Sequence, residues 1–285
     1  MTMKVRVTIL LLSALLATAG AQAADDVQGS DAEGSLDQSI RDALIDTSSG
    51  WKLGGGLAMS DPGYVGETRR LTPIPEFFYH YGRFFFAGFS AGYLLDDGRH
   101  YRFSLLVKPE INRLHAGDNP QLQGIQTREW SLDGGANLAV FGDWGRFRIG
   151  AFHDLLDRNN GTEVDTGYQY SFHLGDWKLT PGVGARWENA NLTGYYYGVS
   201  PDEAAPGRPA YSPGSAVNPY VSIGLSTSIS EHWEFHGNLD YTRFGSAIHD
   251  SPIIDRSGSP TLFIGFTYSS ESGWWPDDES GRSRR

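Results

Sequence analysis

From residue 51 onward the chain shows no helical period; polar and apolar residues alternate one for one over segments of about ten residues, divided by turn formers. Residues two apart in a strand point to the same side, so each segment has one polar and one apolar face. In 232–243 the polar face carries His232, Glu234, His236, Asn238, Asp240 and Thr242, and the apolar face Trp233, Phe235, Gly237, Leu239 and Tyr241. In 177–188, Trp177, Leu179, Val183 and Trp187 oppose Lys178, Thr180, Arg186 and Glu188. Segments 129–141 and 164–174 repeat the arrangement.

A soluble β-sandwich also alternates. Three features favour a membrane barrel. The segments are as long as a tilted transmembrane strand requires, about 9–11 residues. Aromatics crowd the ends of the apolar faces (Trp51, Tyr79, Tyr81, Trp130, Trp177, Trp187, Trp233, Tyr268), as interfacial girdles do. The polar faces carry charges that suit a wet lumen better than a dry core: Arg146, Arg148, Lys178, Arg186, Glu188, His232, Glu234, His236 and Asp240 are the candidate lumen-facing residues. Short turns near Gly82, Asp97, Asp143, Asp176 and Glu231 alternate with longer connections over 60–69, 112–127, 157–162, 189–215 and 245–259. The alternation fails only between Tyr81 and Lys108; splitting 83–95 into two short strands near Gly88 restores it. The fold expected is an all-β, antiparallel up-and-down transmembrane barrel over 47–270. Twelve strands is the count, with ten the alternative if part of this region is not a full strand. Both termini then lie on the side of the short turns, which in such barrels is periplasmic.

The first 23 residues read as a secretory signal: Lys4 and Arg6, an apolar run from Ile9 to Ala19, and Ala21-Gln22-Ala23 before cleavage between Ala23 and Ala24. Residues 24–46 form an acidic leader with Asp25, Asp26, Asp31 and Glu33; 271–285 form a C-terminal tail with Trp274 and Trp275, candidate partner contacts. Aromatics make up 13% of the chain and glycines number 36. Mean hydropathy is −0.37, low because only alternate strand residues would face lipid. Without Lys4 and Arg6 the mature chain has 21 basic against 34 acidic groups, a balance that speaks against nucleic acid as partner. The absence of cysteine excludes disulfide staples and thiolate metal sites.

Catalytic patterns are missing. His232-x-Glu234-x-His236 places three ligand types on one face, but no fourth ligand is specified, and ordinary lumen residues explain it. His153-Asp154 and His249-Asp250 are adjacent pairs, and adjacent strand residues point to opposite faces. No G-x-S-x-G elbow, phosphate loop, dinucleotide fingerprint or calcium loop occurs, so neither an enzyme nor a cofactor is expected.

Irregular segments carry more specific information than strands do. "WKLGGGLAMSDPGYVGE", "LTPIPEFFYHYGRFFFAG", "AGYLLDDGRHYRFSLLVKPE", "GDNPQLQGI", "YYYGVSPDEAAPGRPAYSPGSA" and "SEHWEFHGNLDYTRFGSAIHDSPII" resemble the MipA/OmpV family of outer-membrane proteins, over 51–270. The string from Tyr195 to Ala216, in the order YxGVxPxxA…G.PAY, is the most specific. The resemblance implies a barrel of twelve strands or so in outer-membrane lipid. It also implies a scaffold joining a lytic transglycosylase to a penicillin-binding protein. The residues themselves leave a narrow channel for small solutes open, and an enzyme at the rim as a third possibility. One departure from the family is Ser270, where a terminal aromatic is usual. N-terminal sequencing of the protein recovered from outer membrane is expected to start at Ala24; a chain retaining Met1 would refute export by cleavage.

Overall fold

Two-sided segments need two different surroundings, and a closed sheet supplies them. The computed structural model describes residues 50–269 apart from 68, 113, 115, 117 and 118, so the signal segment, leader and tail lie outside the described residues. In chain order the strands are β1 (Gly50–Ser60), β2 (Arg70–Tyr81), β3 (Phe84–Ala87), β4 (Ser90–Gly98), β5 (Tyr101–Glu110), β6 (Ser131–Gly142) and β7 (Gly145–Asp154). They continue as β8 (Thr162–Gln169), β9 (Phe172–Leu174), β10 (Trp177–Glu188), β11 (Ala216–Ser228), β12 (Trp233–Arg243) and β13 (Gly258–Ser269). Every pairing is antiparallel, and β8 and β9 share β10 as partner, forming one wall strand interrupted at Tyr170 and Ser171. The wall therefore has twelve strands. It closes where β13 meets β1, from Lys52↔Ser269 to Ser60↔Thr261.

The count is twelve because of a tight turn at Gly88 and Phe89 that ends β3 after four residues. Gly88 has φ +58°, a conformation glycine adopts without the Cβ penalty other residues incur. The chain then runs straight through the aspartates at 96 and 97, which look like a turn in the sequence. β4 reaches Gly98 by slipping register at Leu95, between Leu94↔Ser104 and Asp96↔Phe103. The bulge sends the Asp97 carboxylate to Arg102, 2.8 Å away, and the reversal falls at residues 99–100.

Leu53, Leu57, Ile149, Val183, Val221, Leu239 and Ile264 are exposed on the outer face. Water would not tolerate so continuous an apolar band; hydrocarbon does. A girdle of rings marks the short-turn end: Trp51 lies 6.2 Å from Tyr268, Trp233 lies 5.4 Å from Tyr268, and Trp144 stacks on Tyr168. Trp187 and Tyr241 stand outward at the other end of their strands. The inner positions of the same strands bury Lys52, Glu76, Lys108, Asp133, Arg148, Glu163, Asp165 and Asn218. Gly56 shares this inner side with Lys52 and Ala58, and it is a glycine because the Phe263 ring lies where a Cβ would project.

Leu239→Arg places a charge on the outer face of β12 and is expected to cost about 2–4 kcal/mol near the bilayer midplane. The same change at Asn238, one residue away on the inner face beside the Asp240 carboxylate, is expected to cost far less. Denaturant titration of folding into lipid vesicles checks both; equal defects would contradict the assigned faces.

Candidate functional site

Charges turned inward from several strands cannot remain isolated, because an unpaired buried ion costs several kcal/mol. Strand register decides the pairs. Opposite one another on β10 and β8 lie Arg186 and Asp165, and next to them Glu188 and Glu163, two like charges that repel. Two cations resolve the conflict: Lys108 reaches Glu163 at 3.1 Å from β5, and Arg186 reaches it at 3.1 Å along β10. Asn218 donates to Glu188 at 2.9 Å. Asp165 takes Arg148 as ion-pair partner and accepts from the Tyr220 hydroxyl at 3.3 Å. Glu163 and Asp165 are only 2% and 1% exposed, so these contacts replace water almost entirely. Nearer the short turns a smaller set joins Lys52 to Glu234 at 3.2 Å and His236 Nε2 to Glu76 at 2.9 Å.

Of the candidate lumen residues, Arg146 and Arg148 stand on the inner face of β7, Lys178, Arg186 and Glu188 on that of β10, and Glu234, His236 and Asp240 on that of β12. His232 differs. It sits in the turn before β12, with its ring 5.5 Å from Tyr268 of the girdle, so it belongs to the rim. In His232-x-Glu234-x-His236 the second and third members turn to Lys52 and Glu76. Among the described residues no group of three or more His, Asp or Glu is arranged to hold a metal. The cleavage pair Ala23 and Ala24, and Trp274 and Trp275, lie outside the described residues.

The longer connections fold together over the outer mouth. They include a helix, α1 (Ala190–Tyr197), capped by Asn189, which accepts from the Leu192 N–H at 3.0 Å, and a short turn of helix, α2 (Ser246–His249). Tyr64, Leu114, Leu122, Ile125, Leu192, Tyr196, Val199, Ile248 and Ile253, from four separate connections, form one buried apolar cluster. Polar staples hold it. The Arg128 guanidinium donates to both Glu203 carboxylate oxygens, at 2.9 and 3.0 Å, and the Gln126 and Ser200 N–H groups donate to the same carboxylate. Arg208 donates to the Gln121, Gln123 and Glu203 carbonyls. The most specific string of the sequence, 195–216, is thus the cap segment, its tyrosines in the apolar cluster and its arginine tying two connections together.

Burial pushes the Glu203 carboxyl up, but the hydrogen bonds from Arg128, Ser200 and Gln126 outweigh it, and the pKa lies below its ordinary value. Tyr64 has the opposite fate, its hydroxyl raised chiefly by burial. Beneath the cap remains a cavity of about 90 Å³, lined by Glu110, Glu163, Arg186, Glu188, Tyr220 and Asp240 from the wall and by Leu192, Tyr197 and Phe244 from the cap. Polar and of this size, it has room for a few waters. Sequence reasoning put Asp165 on the polar face of 164–174 but left out Lys52, Glu76, Lys108 and Glu163, the other halves of the lumen pairs, although period two places each on its polar face. It also left out Arg128 and Glu203, which sit outside the strands where no period exists.

The family model described as "MltA-interacting protein MipA" matches residues 53–270. MltA-interacting protein of Escherichia coli (strain K12) is 29% identical over 235 residues, covering 79% of this chain and 95% of that protein. Putative outer membrane protein YiaT of Escherichia coli (strain K12) is 28% identical over 225 residues, covering 78% and 92%. Among solved structures, an outer membrane channel from Pseudomonas putida F1 overlaps 78% of this chain and 96% of its own, at 11% identity and a TM-score of 0.40.

The Arg128–Glu203 staple makes cap stability depend on pH. Because the folded-state carboxyl sits below its ordinary 4.5, its contribution is complete above that value and is lost as pH falls through the depressed one. Glu203→Gln is expected to cost the cap about 1.5–3 kcal/mol at neutral pH, the range for hydrogen bonds to a charged group. Hydrogen exchange across 120–130 and 198–211, corrected for intrinsic rates, should show the variant and the parent converging below pH 4.5. A constant difference at all pH values would refute the staple's role.

Proposed function

This chain belongs to the MltA-interacting protein MipA family, and from that premise we propose that it is a non-enzymatic scaffold for peptidoglycan-remodelling proteins. The chain is an outer-membrane β-barrel. The observation that carries the reading is the cap: four connections bury a shared apolar cluster over the outer mouth, above a polar cavity of about 90 Å³. A barrel stoppered in this way offers surfaces. The name of the Escherichia coli relative supplies the partner chemistry, an MltA-type lytic transglycosylase, and a penicillin-binding protein is the second partner proposed. Contact falls on the periplasmic side, where the acidic leader (Asp25, Asp26, Asp31, Glu33) can steer a basic surface and Trp274 and Trp275 can seat in an apolar groove.

The channel reading has one observation in its favour, the continuous set of charged inner residues. Those charges are largely paired with each other, as in Arg148–Asp165 and Lys108–Glu163, which leaves them less available to a passing solute. Eight strands leave an interior filled by side chains and sixteen an aqueous pore, so twelve alone does not decide.

Purified MltA-type transglycosylase is expected to bind the full-length protein in detergent, and deletion of 271–285 or 24–46 to weaken binding at least tenfold, about 1.4 kcal/mol. In planar bilayers the protein is expected to give no steady conductance. Stable conductance altered by Arg146→Ala or Arg186→Ala, with no transglycosylase bound, would replace the scaffold with the channel.

A further inference from the structure

We infer that the barrel interior holds one monatomic, monovalent anion of the chloride class, in a cradle formed by β7, β8, β10 and β11. Strand register assembles the cradle. Arg146 pairs with Gln169, Gln169 with Gly182 and Gly182 with Ser222, a row of inner positions across four strands. The next inner row toward the outer mouth is Arg148, Gly167, Gly184 and Tyr220. Its glycines clear space for their neighbours. A Cβ on Gly182 would strike the Ser222 hydroxyl, one on Gly184 the Tyr220 ring, and one on Gly167 the Tyr220 hydroxyl. Over this bare stretch of wall lies a cavity of about 10 Å³, lined by the side chains of Arg146, Arg148, Gln169, Tyr220 and Ser222. That is room for a single small occupant.

The lining identifies the sign of its charge. Two guanidinium groups line the cavity and no carboxylate does. Arg146 and Arg148 stand two residues apart on one face of β7, so their like charges repel. Asp165 pairs with Arg148 from β8 but stays outside the lining. The Ser222 hydroxyl is the second pointer. Ser222 is 7% exposed, and its Oγ has no hydrogen-bond partner in the protein. A buried hydroxyl left in that state is costly, and one at the wall of a cavity calls for an occupant.

Hydrogen-bond direction separates an anion from a water. Gln169 Oε1 accepts from Arg146 at 3.5 Å, which leaves the amide nitrogen of Gln169 as a donor. The Tyr220 hydroxyl is directed at Asp165 and the Thr166 carbonyl. An occupant therefore meets donors from Arg146, Arg148, Gln169 and Ser222. A water must also donate its own two protons, and the lining offers few lone pairs to take them. An anion only accepts, and it offsets the repulsion between the two arginines. Volume excludes sulfate, phosphate and carboxylates and leaves a monatomic ion. Arg146 is half-buried, so its long side chain can adjust to an ion slightly wider than a water. The site does not rest on the scaffold reading.

Thermal unfolding of the full-length protein in detergent, followed by β-sheet circular dichroism, tests the site with bromide as probe. Potassium bromide is compared at constant ionic strength with potassium gluconate, whose anion is too large for the cavity. Bromide is expected to raise Tm saturably. Ser222→Ala removes the hydroxyl with little change in volume and should raise the half-saturating bromide concentration at least tenfold. Ser226→Ala, on the same face of β11 and outside the cavity, should leave it unchanged. Crystals grown in bromide should show an anomalous peak between Arg146 and Ser222. No bromide-specific rise in Tm, a rise equal in the parent and Ser222→Ala, or a cradle without anomalous signal, which would mean a water only, would each overturn the proposal.

Discussion

Hydrocarbon offers no hydrogen-bond partners, so main-chain N–H and C=O groups at membrane depth must find theirs in the protein. Sheet closure is the consequence, and the rest of the molecule depends on closure. The ladder joining β13 to β1 makes the first and last strands neighbours, and it leaves every strand with one lipid face and one inner face. Alternation is the form that requirement takes in the sequence. A continuous apolar run would put hydrocarbon side chains into the lumen, and a continuous polar one would put charges into lipid.

Closure creates the second problem, that of charges turned inward. Their number is not fixed by the ladder, but their partners are. Glu163 and Glu188 are set side by side by the register of β8 and β10, and the cations at 108 and 186 make that register tolerable. A polar interior held in this way resists slippage, because moving one strand by a single residue would turn its charges out into lipid and break pairs on both sides. The interior network thus specifies the register more than it adds net stability, given the desolvation such pairs incur.

The wall was legible in the sequence because it obeys a period, and the split at Gly88 was legible because two short turns in succession broke the alternation with long connections. The bulge at Leu95 was not, since Asp96-Asp97-Gly98 has the composition of a turn; it takes Arg102 across the strand to make that pair of aspartates part of a ladder. Lumen residues were legible as a face and not as pairs, because pairing needs the register between strands far apart in sequence, such as Lys52 and Glu234. The cap was legible only as an unusual string. Nothing local in 195–216 says that Tyr196 is buried beside Leu114 and Ile253, since those neighbours come from other connections.

The interior is divided, and the division bears on what the barrel can do. On β8, β10 and β12 the inner positions carry paired charges. Behind the short strands they are apolar: Phe85, Leu94, Leu106 and Phe152 form one cluster and Ala58, Ile74, Ile111 and Phe263 another. Strands of four or nine residues offer few positions from which a charge could meet a partner, and apolar side chains fill space without needing one. A solute path through such a bore would run between salt-bridged side chains on one side and apolar ones on the other, beneath a cap with its own core. Each of these features ties the strands to one arrangement of the interior, since a slip of one strand breaks pairs on both sides.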